Sequence, residues 1–329
     1  EAIFSEDRPI VLRTNQAVFR LEEAGKIRSI YHVNQLWTQN IKDRRFLAFG
    51  DAMSTTRRIA IALDLEQPFP HHTQVFAGTQ RYANERGWEC VIDDFPGFKL
   101  QQRSRAFRQY DGVIARAQPG TARRLQRKKI PLVNTWRSSP EADRVPSVFP
   151  DFEAVARLAA EHLTARGFRR ICYFSTTGSK EAEVIQQTIE AVLNETGGSA
   201  RRFEHPSVNS MDAELWLAQE RSISRALDQL DPPVGIFCGS SSAMRYVVNL
   251  CQGRGWHVPG EAAVLSMMQT PGLIDHPRPA ISYIDMNWEQ VGYEAAALLD
   301  RLMDGQTPPF RPILVQPRGV VARESTDYF

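Results

Sequence analysis

The sequence predicts an α/β protein of two lobes, each a parallel sheet flanked by helices, behind a small N-terminal extension. Three observations carry this. From Arg58 on, short β-rich runs alternate with segments of helical periodicity, and repeated strand–helix units build parallel sheets covered on both faces. The alternation runs twice at similar length, over about 58–150 and about 160–280. A chain of 329 residues is long enough for two lobes or two domains.

The elements follow in order. RRIAIALDL, starting at Arg57, is the first strand. His72 to Arg86 reads as a helix with Val75, Phe76, Thr79 and Ala83 on one face, closed by Gly87. WECVIDDF is a strand, 99–110 a helix, Gly112 to Ala115 a brief strand, Thr121 to Lys129 a helix and IPLVNTW a strand. VPSVFPD then leads into a helix from Phe152 to Arg166, closed by Gly167. The pattern restarts with RRICYFS, a helix from Ala182 to Asn194, and a short strand from Arg201 to His205. A helix from Leu215 to Leu230, the strand VGIFCGS, a helix from Ala243 to Arg254 and the strand AAVLSMM complete it.

The last fifty residues add a β-rich run from Ile281 to Ile284. A helix follows with Val291, Ala295, Leu298, Leu299 and Leu302 at helical spacing, then a second β-rich run from Ile313 to Val321.

Composition narrows the function. Lys and Arg total 40 against 38 Asp and Glu, so the whole chain carries no nucleic-acid signature. The basic run Arg123, Arg124, Arg127, Lys128, Lys129 reads as a solvated helix face. The four cysteines, at 90, 172, 238 and 251, form no C-x-x-C pair and lie mostly in apolar runs. That favours a reducing compartment over a disulfide scaffold. No apolar run is long enough to cross a bilayer, and a cytoplasmic location is expected. Nucleotide-binding and hydrolase motifs are missing: no G-x-G-x-x-G follows a strand, and there is no Walker loop and no G-x-S-x-G elbow. A binding protein is expected, with no cofactor and no metal. His71-His72 has no third ligand at metal spacing.

The closing segment, with its words VGYEAAALL and RESTDY, resembles the sugar-sensing domain of LacI-type regulators, which share a fold with type 1 periplasmic binding proteins. It looks most like the xylose-operon activators, in which such a tail leads into an AraC-type helix-turn-helix domain. The resemblance implies an extension over 1–57, a sensing unit over 58–324 and a tail over 325–329 leading to a DNA-binding domain. Lobe 1 would hold 58–150 and 281–312, lobe 2 151–280 and 313–324. The chain would cross between them near Pro150–Glu153, Pro279–Tyr283 and Phe310–Leu314. The function it implies is a transcription regulator whose small-molecule effector, a sugar or sugar derivative, binds between the lobes. It would act as a homodimer on operator DNA, through a domain at or beyond a terminus, without membrane contact. A solute-binding protein of a transport system, or a scaffold that only dimerises, is the alternative.

The extension carries TNQAVFRLEEAGKIRSI. It reads as a helix from about Asn15 to Ala24 capped by Gly25, then a short strand. With LEEAG followed by IRS, it is similar to the recognition helix and first wing strand of a GntR-type winged helix. On that reading Arg13, Thr14, Asn15, Gln16 and Arg20 contact DNA. The alternative is an arm that packs on the first lobe or on another subunit. Arg57 and Arg58 read as linker charges.

Ligands of open α/β sheets bind outside the carboxyl ends of the strands, and the resemblance places the effector there. Phe69 is then a stacking platform, and His71 and His72 are partners for hydroxyls. Arg116, Asn134 and Trp136 follow strands that face the cleft. Asp151 caps a helix at the first crossing. Ser240, Met268 and Asp285 complete the candidate set. Three charged or amide anchors usual in such sensors are missing from lobe 2, where Ala182 to Thr188, Gly239 to Ser241 and Ser266 to Gln269 stand. Charged hydrogen bonds are the strong ones, so a less polar or differently substituted ligand is expected.

Overall fold

The computed structural model describes residues 10–13, 17–21 and 27–32 by their backbone, and 56–65, 70–96, 110–208, 212–272, 274–275 and 278–327 in full. Two compact units result, 1–55 and 56–329. In the first, β1 (Ile10–Arg13), β2 (Ala17–Leu21) and β3 (Ile27–His32) form an antiparallel sheet with β2 in the middle. This corrects the helix expected over Asn15 to Ala24. Val18 and Phe19 are strong strand formers, and a strand on each side supplies their backbone hydrogen bonds. A recognition helix therefore does not form at Ala17–Leu21. Arg13 and Arg20 lie on adjacent strands, where Val11 pairs with Arg20 and Arg13 with Val18. Thr14, Asn15 and Gln16 lie outside the described residues, as do residues 99–109 of the helix expected over 99–110; Tyr110 is not helical.

The second unit holds both lobes. In lobe 1, β4 (Arg58–Ala62), β5 (Glu89–Ile92), β6 (Gly112–Ala115) and β7 (Leu132–Asn134) make a parallel sheet in the order β5-β4-β6-β7. Helix α1 (Pro70–Arg86) covers one face. Helix α2 (Pro119–Arg127) covers the other, through Ala122 and Leu125. Ile59, Ala60 and Ile61 are fully buried, as expected of a strand covered on both sides.

Lobe 2 repeats the plan with β9 (Arg170–Thr176), β10 (Ser199–His205), β11 (Val234–Cys238), β12 (Ala262–Ser266), β13 (Ser282–Asp285) and β15 (Gly319–Val321), in the order β10-β9-β11-β12-β13-β15. Only β15 runs antiparallel within that sheet. Helices α3 (Phe152–Thr164) and α4 (Ala182–Asn194) cover one face, α5 (Ala213–Leu227) and α6 (Ser241–Gly253) the other. Cys172, Cys238 and Cys251 are buried and unbonded, and burial raises their thiol pKa values.

The crossings differ in part from expectation. The first follows β8 (Val148–Pro150) into α3. Strand β13 pairs with β12 and β15 and so belongs to lobe 2, and the chain crosses after Asp285 into α7 (Trp288–Met303), which packs in the lobe 1 core. Strand β14 (Ile313–Val315) pairs with β8, which joins lobe 1 through an Asn134–Ser147 bridge. The third crossing therefore comes at 316–318, not at 310–314. Pro317 interrupts the Ile313–Val321 run, because proline has no N–H for a ladder, and each half pairs with a different sheet.

Two helices of lobe 1 touch backbone to backbone. A Cβ at Gly78 of α1 would sit 1.7 Å from the Glu289 carbonyl oxygen of α7, and one at Gly292 would sit 1.9 Å from the Val75 oxygen. Only glycine permits this approach. Thr79 Oγ1 donates to the Gly292 carbonyl across the contact at 3.2 Å. Arg57 and Arg58 are anchors rather than linker charges. Arg57 pairs with Asp300 of α7 and with Asp304 just past its end, and Arg58 with Glu89.

Candidate functional site: the inter-lobe cleft

In both sheets the first strand lies between the second and the third. Strand order reverses beside it, and the carboxyl ends there form a crevice. The two crevices meet in a cavity of about 180 Å³. Lobe 1 lines it with Leu63 after β4, Arg116 after β6 and Thr135 to Ser138 after β7. Lobe 2 lines it with Glu181 after β9, Gly239 after β11, and Met267 and Met268 after β12. The helix N-termini add His71, His72 and Val75 from α1, Phe152 from α3 and Trp288 from α7. The glycine contact thus fixes the spacing of the two helices that carry His71, His72 and Trp288.

Burial sets the charges here. Desolvation pushes the His71 imidazole down to about 3, helped by the neighbouring His72 and Arg116. His72 is also lowered by burial, although its Nδ1 lies 3.0 Å from the Asp64 carbonyl oxygen, which favours the proton. Both rings are neutral near pH 7. With Nδ1 donating to Asp64, the His72 Nε2 is a lone-pair acceptor. The His71 ring lies 5.1 Å from Trp288. Arg116 lies over the Trp136 ring at 4.6 Å and faces the Asp64 carboxylate at 3.8 Å. Its pKa is lowered by burial, against the pull of Asp64.

Of the sequence candidates, His71, His72, Arg116, Trp136 and Met268 line the cavity. Phe69 lies outside the described residues. The structure gives the other four different work. Asn134 is fully buried and ties the loops after β6 and β7 together. Its Oδ1 accepts from Ala117 N and Trp136 N, and its Nδ2 donates to the Trp136 carbonyl. Asp151 caps α3 by accepting from Ala154 N, and its other oxygen accepts from Gln316 Nε2 at 2.7 Å. Ser240 caps α6. Asp285 accepts from Asn287 N at 3.0 Å and faces Arg318. The first crossing's Phe152, the second crossing's Trp288, and Glu181 escaped the sequence reading. Trp288 had a signal, since an aromatic opens the helix just after a strand.

Ser240 has a histidine neighbour that no motif announced. His205 Nε2 lies 3.5 Å from its Oγ, and Gln219 Nε2 lies 2.9 Å from His205 Nδ1. In a Ser-His-Asp triad a carboxylate stands behind the imidazole, and here an amide stands there. The serine oxygen accepts the Ala243 N–H.

The lobes already touch across the cleft. Lys180 Nζ donates to the Ser139 carbonyl at 2.9 Å and faces Asp143 at 3.4 Å. Ser138 Oγ donates to Glu181 at 3.3 Å, and Gln74 Nε2 to Gln269 Oε1 at 3.4 Å. The Asp143 carboxyl is held below its usual range. Burial works the other way, but Lys180 and Arg137 outweigh it.

Two α/β lobes whose strand ends converge on a bridged cavity define the two-lobed class of α/β proteins with a cleft between the lobes. Residues 160–326 match the family described as periplasmic binding protein-like domain. The chain belongs to that family. It is 24% identical over 286 residues to the xylose operon regulatory protein of Haemophilus influenzae, covering 83% of this chain and 72% of that protein. Against the xylose operon regulatory protein of Escherichia coli K12 it is 25% identical over 284 residues, covering 83% and 71%. Among solved structures, the xylose-binding transcription activator xylR superposes with a TM-score of 0.67 at 24% identity, covering 84% of this chain and 71% of that one. A complex of the transcriptional regulator CelR with cellobiose gives 0.63 at 19%, covering 82% and 84%. These structures share the fold. Among the described residues, no helix is long and apolar enough to cross a membrane.

Proposed function

We propose that this chain is the effector-sensing part of a bacterial transcription regulator, a binding module and not an enzyme. The observation that carries the reading is the cleft itself. Strand ends of both lobes converge on one cavity, and side chains of one lobe reach across it to the other. A small molecule held there by His71, His72, Arg116, Trp136 and Met268 favours the closed arrangement by the difference of its affinities for closed and open forms, and by no more. The cavity of about 180 Å³ is small beside typical clefts of roughly 300–1,000 Å³, and suits a single sugar ring. The regulatory names of the relatives support the output. Closure alters a homodimer in the cytoplasm and through it the contact with operator DNA, made by a segment outside the two lobes.

The test is the melting temperature against a panel of pentoses, hexoses, sugar acids and sugar phosphates. A ligand at one hundred times its Kd stabilises the fold by about 2.7 kcal/mol, a shift of a few degrees. No shift across pentoses, hexoses and their derivatives would sink the sensor reading.

A further inference from the structure

The two walls of the cavity offer different chemistry, and the difference selects a ligand class. We infer that the cleft takes a neutral monosaccharide with one hydroxyl replaced by an apolar group, a deoxy or O-methyl sugar. This rests on the sensor reading and goes beyond it.

The lobe 1 wall has the groups that read hydroxyls: His71, His72, Arg116, Thr135, Arg137 and Ser138. Its two imidazoles are neutral, the Arg116 guanidinium already faces the Asp64 carboxylate, and the Arg137 guanidinium faces Asp143 at 3.3 Å. Such a wall does not demand an anion, which disfavours a sugar acid or phosphate. The Trp136 and Trp288 rings suit the C–H faces of a sugar ring.

Gly239, Met267, Met268 and Phe152 make the opposite wall. Apart from Glu181, its side chains are apolar or absent. Its backbone donors are also taken. Gly239 N donates to the Phe174 carbonyl, Met267 N to the Cys238 carbonyl and Met268 N to Ser266 Oγ. The Met268 carbonyl accepts the Ser266 hydroxyl in return, at 2.9 Å. Glu181, the polar group on this side, accepts from Ser138. Away from Glu181, a hydroxyl pressed against this wall loses its water and finds the backbone donors already engaged. A hydrogen or methyl at the same place meets methionine and phenylalanine side chains, and Met fills irregular apolar gaps well.

The experiment is calorimetric titration of the whole chain with matched pairs: D-galactose and D-fucose, L-mannose and L-rhamnose, D-xylose and methyl β-D-xyloside. In at least one pair the apolar member is expected to bind about tenfold tighter or more, the scale on which a pocket weighs one hydroxyl. If the parent sugar of every binding pair binds as well or better, the inference falls and the sensor reading stands. If no member of any pair binds at millimolar concentration while another sugar of the wider panel shifts the melting temperature, the inference falls and the sensor reading stands; if nothing in the wider panel binds either, both fall. Met268→Asn then places an amide on the lobe 2 wall. It should narrow the preference by about tenfold, with the unliganded melting curve as the check on folding. An unchanged preference in a folded variant would overturn the assignment to this wall.

Discussion

The two lobes share one strand order, and equivalent strand ends line the cleft from each side, yet the walls are set by different means. In lobe 1 the wall consists mostly of polar and aromatic side chains, with Leu63 and Val75 beside them, on two helix starts and three strand ends. Helices α1 and α7 are locked by glycines. In lobe 2 the wall consists of methionine, phenylalanine and bare backbone beside the one carboxylate of Glu181, with its backbone donors spent inside the lobe. A shared topology fixes where a ligand lies. The side chains added at the strand ends decide what it is, and each lobe's ends change independently of the fold.

The largest effect should come from breaking the frame of lobe 1. Gly292→Ala puts a methyl 1.9 Å from the Val75 carbonyl oxygen, and Gly78→Ala one at 1.7 Å from that of Glu289. The obstacle is backbone, so the helices must part. Each change should cost about 2–3 kcal/mol in urea unfolding, the range of an overpacked core. Parting the helices also separates Trp288 from His71, so ligand affinity should fall further than for an equally destabilising change in lobe 2. Gly120→Ala in α2 is the control, since no atom lies within 4 Å of its Cβ, and it should be neutral or slightly stabilising. Equal effects at Gly120 and Gly292 would refute the framing role.

Next comes acidity, again through lobe 1. Burial holds His71 near 3 in the folded state, against 6.5 when unfolded. Below 6.5 the unfolded chain binds a proton the folded chain refuses. Stability is therefore complete above that value and declines as pH falls towards 3. Between pH 7 and pH 5 this group accounts for at most about 2 kcal/mol. His162 of lobe 2, lowered to about 4 by burial and by Arg166, acts in the same direction. His71→Gln should therefore flatten the pH dependence of urea stability without abolishing it. An unchanged slope would show that His71 is hydrated and its neutral state is not imposed by the cleft.

The same contrast explains what the sequence disclosed. The lobes, the sheet class and the cleft at strand carboxyl ends were legible, because alternating periodicity and glycine stops are local signals. That His71, His72, Arg116 and Trp136 line the cavity was legible because Arg116 and Trp136 come just past a strand and the two histidines open the helix after β4. Asn134, Asp151, Ser240 and Asp285 occupy such positions too, but their side chains turn back to satisfy nearby backbone N–H groups or a neighbouring side chain. Sequence position does not distinguish a capping carboxylate from a ligand contact. The Ala17–Leu21 strand was hidden for a related reason. Its partners β1 and β3 lie on either side in sequence, and their pairing overrides a pattern compatible with a helix turn by turn.

The smallest effect should come from the bridge between the walls. Lys180 Nζ donates to the Ser139 carbonyl and faces an Asp143 that is largely exposed, so water and salt screen the ion pair. Exposed pairs contribute about 0–1 kcal/mol. Lys180→Ala should leave unfolding free energy almost unchanged and act instead on the balance of open and closed forms. A ligand that requires closure must then supply the lost interaction, and its affinity should fall by about two- to fivefold. The deficit should shrink at 1 M salt, where the Debye length is about 3 Å, because the wild-type contact is then weakened as well. Small-angle scattering of the unliganded variant should show a larger radius of gyration than wild type. If radius and affinity both match wild type, the lobes are held together by the buried wall alone and the lysine bridge is incidental.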